Sequence, residues 1–415
     1  MKCSSFDHCA HLGMEKTGLT PIKYIIGRKD MVMIKMYTAH TSEIDEINEA
    51  IAEIKGQIDF TSLKKNSGGL IFCHVDFIAS GVAAALCEEL PFEVIGMTSM
   101  ASAQEHGYSF FDLTLTVLTS DEVSFSFGMT DSINHDNYTD EIDRLYNSMR
   151  GCVEEDPAMI LTFIPYIRDV AGYEVVTAMD ESCHGIPLWG SSTSGTDFNY
   201  ETVSTFCNGK SLSAGLAMMF LNGPIAPEFI VSSLPEHNIA NNRAIITKSD
   251  RAVLREVNDM PVLDYLANIG LVINKENITA TPLMLYYDDA EEPVALGFYT
   301  LFEDGSVLTG GEMPEGTSFS VGSIDTQGIF ESAEDGLKQI LQHKDRQVTL
   351  LLPCVTRYIM SAPDQEGEIR LINEKLADGK PFMMGYSGGE ICPMRGADGK
   401  YHNRFHNYTF CACIL

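Results

Sequence analysis

The sequence predicts an α/β fold of the mixed α+β kind, in which repeated strand–helix–strand–hairpin units form mixed β-sheets flanked by helices, in two domains. Three apolar runs support this prediction. Gly69–Cys73, Met159–Phe163 and Val348–Leu352 are short and uninterrupted, as in strands that are covered on both faces. After each run come a helical stretch, a second apolar strand and a turn of small and polar residues. The same order at three places indicates an internal repeat of three copies.

Each second strand ends in a polar turn and is followed by a predicted β-hairpin. The turns are Gly96–Ser99, Gly190–Gly195 and Gly385–Gly389. In the second copy, Asn208-Gly209 is a strong two-residue hairpin signal. The predicted strand pairs are Tyr108–Thr119 with Val123–Phe127, Tyr200–Cys207 with Ser211–Leu221, and a last hairpin that closes the chain.

Apolar residues at helical spacing, together with capping and breaking residues, predict the other elements. Thr41 and the carboxylates after it suit a helix start, because negative charge is favoured at the positive end of the helix dipole. Pro261 suits a first helical turn. In chain order, the predicted elements are a strand at Met33–Ala39, helices at Ile44–Ile54, Ile78–Leu90 and Tyr138–Val153, strands at Arg243–Thr247 and Val253–Val257, a helix at Pro261–Ile269, strand-rich sequence at Pro282–Ile324 and a helix at Glu331–His343.

The predicted organisation is an N-terminal extension (1–31), a first domain (32–222) and a second domain (223–415). The boundary is placed where Gly223–Ile239 loses its periodicity and carries several prolines. The second and third polar turns are about twice as far apart as the first and second. This spacing leaves room for a fourth, degenerate copy, for which Pro282–Ile324 is the candidate segment.

Composition excludes several classes of protein. A formal net charge of −30, without a stripe of Lys and Arg, opposes binding to nucleic acid or to an anionic membrane surface. No run approaches the ~20 apolar residues of a membrane span, and the first residues lack the apolar region of a signal peptide. The 11 cysteines contain no C-x-x-C, which is typical of free thiols in a reducing compartment. We therefore expect a cytoplasmic protein without a membrane span.

No cofactor or metal is predicted, with one alternative left open. Cys3, His8, Cys9 and His11 match no zinc spacing. The sequence has no dinucleotide fingerprint, no P-loop and no C-x-x-C-H for covalent haem. A non-covalent haem needs only one axial ligand, so a haem-binding gas sensor is the first alternative function.

A serine hydrolase is the second alternative. Gly385–Gly389 matches the G-x-S-x-G pattern around Ser387, and Asp398 precedes His402 and His406. A nucleophile elbow leads into a helix, however, and the residues after this motif include a proline and two glycines that oppose one. No catalytic residue is therefore predicted.

The polar turns are better explained as a binding site for a small molecule. Glycines allow a close backbone approach, and exposed N–H and hydroxyl groups bind a carboxylate or phosphate. A glutamate beside them suits an ammonium group, so an amino acid or another small zwitterion would fit, although glycines also serve simply to make tight turns. The predicted ligand-binding residues are Gly385, Tyr386, Ser387, Gly388, Gly389, Glu390, Asn407 and Thr409, with Ser191, Ser192 and Thr193 from the second copy.

Several motifs of the second half occur together in a known family. Pro381–Glu390 precedes His406–Thr409, and Val253–Leu263 lies upstream. These segments resemble the FIST C-terminal domain, with its Gly-Phe-x-x-x-Gly-Glu-like turn, its later Asn-x-Thr and its Asn/Asp-Gly-x-Pro-Ala helix start. Asp259 replaces the usual glycine and Val262 the usual alanine.

Residues 32–222 resemble the FIST N-terminal domain, including the turn Gly96–Ser99. The family tends to place a cysteine at this turn, where Met97 stands in this chain, so a thiol role there is in doubt. The resemblance implies an intracellular sensory module that binds a small ligand, with amino acids the favoured proposal and haem bound in some members. From the absence of a predicted catalytic residue we expect a non-enzymatic protein. We therefore expect a sensor of a small polar metabolite, such as an amino acid, that signals through a separate protein.

Overall fold

The structure is a computed structural model that describes residues 34–167, 170–195, 202–275, 277–396 and 398–415. The predicted extension (1–31), with its cluster of Cys and His, lies outside the described residues. So do Met33 and the first two residues of the strand predicted from Tyr200.

The elements are as follows. Up to residue 222 they are β1 (Lys35–Thr41), α1 (Ile47–Gln57), β2 (Asn66–Cys73), α2 (Val75–Ala79), α3 (Val82–Glu89), β3 (Val94–Thr98), β4 (Ser102–Gln104), β5 (Gly107–Ser109), β6 (Leu113–Ser120), β7 (Ser124–Met129), α4 (Tyr138–Arg150), β8 (Met159–Ile164), α5 (Gly172–Cys183), β9 (Leu188–Ser192), β10 (Thr205–Cys207), β11 (Lys210–Leu212) and β12 (Ala217–Asn222). From 223 to 324 they are β13 (Glu228–Ser232), β14 (Ile239–Asp250), β15 (Val253–Val257), β16 (Met260–Pro261), α6 (Val262–Asn268), β17 (Leu283–Tyr286), β18 (Val294–Leu296), β19 (Phe298–Leu301), β20 (Val307–Thr309) and β21 (Ser318–Gly322). The last are α7 (Thr326–Gln342), β22 (Thr349–Pro353), α8 (Val355–Met360), α9 (Gly367–Leu376), β23 (Met383–Gly385), β24 (Glu390–Ile391), β25 (Met394–Arg395), β26 (Tyr401–His402), β27 (Phe405–His406) and β28 (Phe410–Ile414).

Local sequence explains where two of the helices begin or are interrupted. The side chain of Asp325 caps α7 by accepting a hydrogen bond from Gly328 N (2.8 Å). The helix predicted at Ile78–Leu90 is instead divided into α2 and α3. Gly81 lies between them at φ = 83°, a left-handed conformation that interrupts a helix and that glycine adopts without strain.

Three six-stranded sheets share one strand order. The first runs β1-β6-β2-β3-β10-β11, the second β7-β12-β8-β9-β24-β27 and the third β13-β28-β22-β23-β4-β5. In each sheet the two central strands are parallel and joined by helical sequence, namely β2 with β3, β8 with β9, and β22 with β23. The other pairs are antiparallel. The fold class is therefore mixed α+β, as predicted.

The predicted hairpin pairs are corrected by these sheets. The strand predicted at Tyr108–Thr119 divides into β5 and β6, and β6 pairs with β1 and β2, whereas β7 pairs with β12 of the second sheet. Asn208-Gly209 does form a hairpin, with both residues at positive φ, but it joins only β10 and β11. The remainder of Ser211–Leu221 enters the second sheet as β12. We predicted these pairs because the strands follow each other in the sequence. In the structure, β6 and β7 are buried in different sheets, as are β10 and β12, and each has other partners.

Neighbouring units exchange their hairpins. The hairpin β4–β5, which follows β3, pairs with β23 of the third sheet. The hairpin β10–β11, which follows β9, pairs with β3 of the first sheet. After β23, β24 pairs with β9 and with β27 in the second sheet. Strands from both predicted domains are thus interleaved in two of the three sheets.

Alternating side chains explain how the three sheets pack. Leu70 and Phe72 of β2 enter a central core that also contains Leu161 of β8 and Leu350 of β22. Ile71, the residue between Leu70 and Phe72, faces the helices instead. The inner faces of the three sheets therefore meet in one core, and the outer faces are covered by α1 with α3, α4 with α5, and α7 with α9.

The fourth sheet is antiparallel and curls into a nearly closed barrel. Its order is β18-β17-β21-β14-β15-β20-β19, and only Gly297 separates the two end strands, β18 and β19, along the chain. The candidate fourth copy at Pro282–Ile324 forms part of this barrel, where its strands pair antiparallel without an intervening helix. It does not have the strand–helix–strand arrangement of the other three units. None of the helices among the described residues combines the length and apolar character needed to cross a bilayer.

Candidate functional site

The polar turns of the three units converge. Ser194 Oγ and Ser99 Oγ both donate to the carbonyl oxygen of Tyr386, at 2.7 and 3.0 Å. Gly388 N donates to Ser192 O (3.0 Å), and Ser192 N donates to Gly389 O (2.9 Å). These bonds join the ends of β3, β9 and β23 into one polar cluster.

The predicted ligand-binding residues are brought together, but they divide into two layers. Ser192 and Gly388 are partly exposed and line a cavity, which Asn407 also borders. The others lie beneath and are buried: Gly385, Tyr386, Ser387, Gly389, Glu390, Thr409, Ser191 and Thr193. The buried layer can support a ligand site but has no surface that a ligand could contact.

The hydroxyl and carboxyl groups of the buried layer bond mainly to each other. Ser191 Oγ lies 2.8 Å from Ser387 Oγ, which also accepts a hydrogen bond from Gly389 N at 3.0 Å. Thr409 Oγ1 donates to Glu390 Oε2 at 2.8 Å. The network holds the turn after β23 against β9 and the start of β28.

Glu390 is buried completely, and burial raises the pKa of its carboxyl group to about 8, against the opposing effect of hydrogen bonds from Thr409, Ser387 and Cys354. Its other oxygen, Oε1, has no hydrogen-bond partner of normal geometry among the described residues. Burial therefore favours the uncharged form of this carboxyl group, which makes it a poorer partner for an ammonium group than an exposed carboxylate.

A cavity of about 430 Å³ lies at the carboxyl ends of β8 and β9. One wall is Ile164–Ile167 and the first turn of α5, and the opposite wall is Gly297–Thr300 of the barrel. Open α/β sheets usually bind ligands at the carboxyl ends of their strands, and this volume lies within the ordinary range of ligand pockets. At the corresponding end of β2 and β3, the side chains around His74 and Ser99 leave no room for a water molecule.

The cavity lining is apolar and aromatic, with a few hydroxyl and amide groups. Three of its rings are exposed at the mouth: Tyr166 at 50%, Tyr299 at 37% and Phe302 at 40%. The described lining residues are Ile164, Pro165, Tyr166, Ile167, Val170, Ala171, Gly172, Val175, Ser192, Thr279, Gly297, Phe298, Tyr299, Thr300, Phe302, Leu308, Val355, Thr356, Gly388, Phe405, Asn407 and Tyr408.

Asn407 fixes the barrel wall rather than presenting free polar groups. Its Nδ2 donates to Tyr299 Oη (2.7 Å), and its Oδ1 accepts from Gly297 N (2.9 Å). A Cβ atom at Gly310 would overlap Asn407 Oδ1, so this position leaves space only for glycine without a shift of the neighbouring side chain. Asn407 thus positions Tyr299 at the cavity mouth.

A buried ion pair supports the adjacent wall. Arg357 donates to Glu368 Oε1 through Nε (2.8 Å) and Nη2 (2.6 Å), and both side chains are fully buried. Arg357 Nη1 also donates to the carbonyl oxygen of Tyr408 (3.0 Å), a lining residue held at φ = 61°. The ion pair therefore maintains an uncommon backbone conformation at the cavity.

The positive end of helix α5 faces the cavity but is already capped. Glu174 Oε2 accepts a hydrogen bond from Ala171 N (2.9 Å), and Glu174 Oε1 accepts from Arg251 Nη1 (2.6 Å). The carboxylate balances the positive end of the helix dipole. Arg251 in turn balances the carboxylate, so this end of the cavity offers a ligand little net charge.

The two alternative functions find little support in this geometry. Ser387 is buried, and its hydrogen-bond partners in the described part of the chain include no histidine. Asp398 and His402 instead contact each other at a partly exposed turn (3.1 Å). For haem, the described cavity lining contains tyrosines but no His, Cys or Met that could serve as the axial ligand. Across the described ranges, no group of three or more His, Cys, Asp or Glu is arranged to hold a metal ion.

Sequence reasoning missed the barrel side of the cavity. Tyr299 and Phe302 lie far from the polar turns in sequence, and nothing in their local pattern indicates that they meet Ser192. Sequence reasoning also missed Thr356, which belongs to α8. Tyr166 had a weak signal, because it follows the proline that ends β8. An aromatic residue directly after a strand end is a candidate for such a wall.

The fold and site define a mixed α+β protein with a ligand-sized cavity where the polar turns meet an antiparallel barrel. A family model for the FIST N domain matches residues 68–260, and one for the FIST C domain matches residues 264–393. The chain therefore belongs to the FIST family, whose domains are associated with sensory proteins of signal transduction. It matches no functionally curated protein.

Proposed function

We propose that this protein is a non-enzymatic, cytoplasmic sensor that binds a small molecule in the cavity between β8, β9 and the barrel, and that signals through a separate protein. The cavity of about 430 Å³ is the observation that carries the proposal. It lies at the strand ends where the sequence predicts binding, and it has the size and mixed lining of a ligand pocket.

The position of the cavity suits a sensor. Its walls come from differently built regions, namely the second sheet with α5, the start of α8 and the antiparallel barrel, so a ligand contacts several of them at once. A ligand that binds one arrangement of these walls more tightly than another would shift the equilibrium between them. We propose that the partner protein recognises this difference.

The repeat and the domain division form part of the same proposal. The equal strand order of the three sheets supports a threefold internal repeat. The residues 32–222 and 223–415 remain our proposed division, although their strands are interleaved. Predicted residues of the buried layer, such as Ser387 and Glu390, would act as support for Ser192 and Gly388, which face the ligand.

The test is thermal unfolding of the protein against a panel of amino acids, other polar metabolites and uncharged aromatic compounds. A compound that binds only the folded chain, at about 100 times its Kd, adds about 2.7 kcal/mol to the free energy of unfolding. At least one class of compound should raise the Tm of the wild-type protein.

A matched pair of variants tests whether the compound that raises the Tm binds in the cavity. Thr356→Trp fills the cavity from a half-buried lining position and should abolish the rise in Tm. Thr317→Trp changes a half-buried threonine outside the lining and should leave the rise intact. An equal rise in both variants would place binding elsewhere and contradict the proposed site.

A further inference from the structure

We infer that the ligand is an uncharged molecule with a flat aromatic ring system, bound between the aromatic walls of this cavity. The inference rests on the proposed function, because it takes the cavity to be the ligand site. It is carried by the chemical nature of the cavity walls and by the pairing of the charged groups around them.

The described lining of the cavity carries no charged side chain, because it contains no Asp, Glu, Lys, Arg or His. Arg168 and Asp169, which follow Ile167 in the sequence, lie outside the described residues and carry opposite formal charges. A charged ligand group taken from water into a cavity without a partner loses its hydration and gains no ion pair. The lining therefore favours a ligand without net or zwitterionic charge.

Among the described residues, the charged side chains next to the lining in sequence are already compensated. Glu174 is bound to the start of α5 and to Arg251. Arg357 is bound to Glu368 and to backbone carbonyl groups. Glu390 is fully buried, and burial favours its protonated form. A ligand carboxylate or ammonium group would have to compete with these contacts, and the net charge of −30 further disfavours an anion.

The walls of the cavity are rich in aromatic residues. Six aromatic residues line the cavity, three buried and three partly exposed: Phe298, Phe405, Tyr408, Tyr166, Tyr299 and Phe302. Exposed rings that cluster at one opening indicate a binding surface, whereas single exposed apolar residues do not. Aromatic rings that stack on flat aromatic partners gain affinity beyond that from the burial of apolar area.

The orientation of the Tyr299 ring is fixed by a hydrogen bond. The bond from Asn407 Nδ2 fixes the hydroxyl group of Tyr299, so that ring is held at the mouth before a ligand arrives. Ser192 and Thr356 add hydroxyl groups on the side of the polar turns. An aromatic molecule with one or two uncharged hydrogen-bonding substituents matches this arrangement, since preorganised groups reduce the entropy lost on binding.

The experiment uses the full chain and a neutral fluorescent reporter, phenylnaphthylamine, whose emission rises in an apolar site. Bound reporter is displaced by four competitors: naphthylmethanol, naphthoate, naphthylmethyl-trimethylammonium and the zwitterion phenylalanine. We expect naphthylmethanol to displace the reporter at concentrations about tenfold or more below those of the charged competitors, because each of them must desolvate a charge.

Two pairs of variants test whether the reporter binds in the cavity. Thr356→Trp should abolish reporter binding, whereas Thr317→Trp should not. Phe302→Leu keeps an apolar side chain at the mouth and should weaken binding about three- to tenfold. Phe111→Leu, at an equally exposed ring outside the lining, should have no effect.

The outcomes separate the inference from the proposed function. If a charged competitor displaces the reporter at the lowest concentration, and Thr356→Trp does not bind the reporter, the cavity is a ligand site but the prediction of an uncharged ligand is wrong. If Phe302→Leu binds the reporter as tightly as wild type, the aromatic requirement is wrong. If reporter binding is equal in Thr356→Trp and Thr317→Trp, the cavity is not the site, and the proposed function falls with the inference.

Discussion

At the residue scale, Glu390 shows how a functional type of side chain can take a structural role. A glutamate beside a Gly- and Ser-rich turn suits an ammonium group when only the sequence is considered. In the fold, it is buried among Thr409, Ser387 and Cys354, and burial favours its protonated form. The residues that line the cavity beside this turn are Ser192 and Gly388, which contribute no charge.

The ionisation of Glu390 should be visible in the pH dependence of stability. Its pKa is raised from 4.5 to about 8 in the folded chain, so between these values the folded state binds more protons than the unfolded state. The contribution of Glu390 to the free energy of unfolding should therefore fall as pH rises through this window. Glu390→Gln removes the ionisable group. Urea unfolding should therefore show that the stability of the variant relative to wild type increases as pH rises.

The comparison between variant and wild type separates the effect of Glu390 on the pH dependence of stability from the effects of other titratable groups. Burial also raises the pKa of Asp112, to about 7, and its effect has the same sign in both proteins. A stability difference between Glu390→Gln and wild type that stays constant with pH would show that Glu390 ionises as readily in the folded chain as in the unfolded one.

At the element scale, the cavity wall depends on how α8 and α9 are fastened to the final strands. Arg357 of α8 bonds to Glu368 of α9, to the carbonyl oxygen of Ile329 in α7 (2.8 Å) and to that of Tyr408. One buried guanidinium group thus joins three helices to the segment before β28. Tyr386 lies beside this pair, and burial raises the pKa of both Tyr386 and Glu368.

Removing one partner of this buried pair should be costly. Arg357→Met leaves Glu368 buried without its cation and should lower the free energy of unfolding by about 3–5 kcal/mol. Arg370→Met is a matched control in α9, because Arg370 forms an exposed ion pair with Asp364 (2.8 Å) and should cost no more than about 1 kcal/mol. Urea unfolding measures both variants. Equal losses would show that Arg357 acts as a surface charge rather than as a buried support.

At the scale of the whole molecule, the exchange of hairpins between units makes the sheets depend on each other. Strand β9 of the first predicted domain pairs with β24 of the second, and β23 of the second pairs with β4 of the first. The central core likewise contains residues of both halves. Each half alone would expose sheet edges and apolar surface, which promotes aggregation.

Residues 32–222 expressed alone should therefore not fold cooperatively, whereas co-expression with residues 223–415 should restore a folded complex. Circular dichroism during thermal unfolding and size-exclusion chromatography would measure this. Residues 32–415 serve as the control that retains both halves. Cooperative unfolding of 32–222 alone, with a Tm close to that of the control, would show that the halves are independent domains.

The sequence alone determined the mixed α+β class, the three apolar strand pairs, the turns that follow them and the family resemblance, because these features are encoded by neighbouring residues through period, breakers and turn chemistry. It also indicated that Ser192, Gly388 and Asn407 belong together. The tertiary structure alone decided which strand pairs with β6 or β7, that Glu390 and Thr409 lie below the cavity, and that Tyr299 and Phe302 of the barrel form its other wall. These features arise from contacts between segments far apart in the chain, where burial of whole faces outweighs local preference.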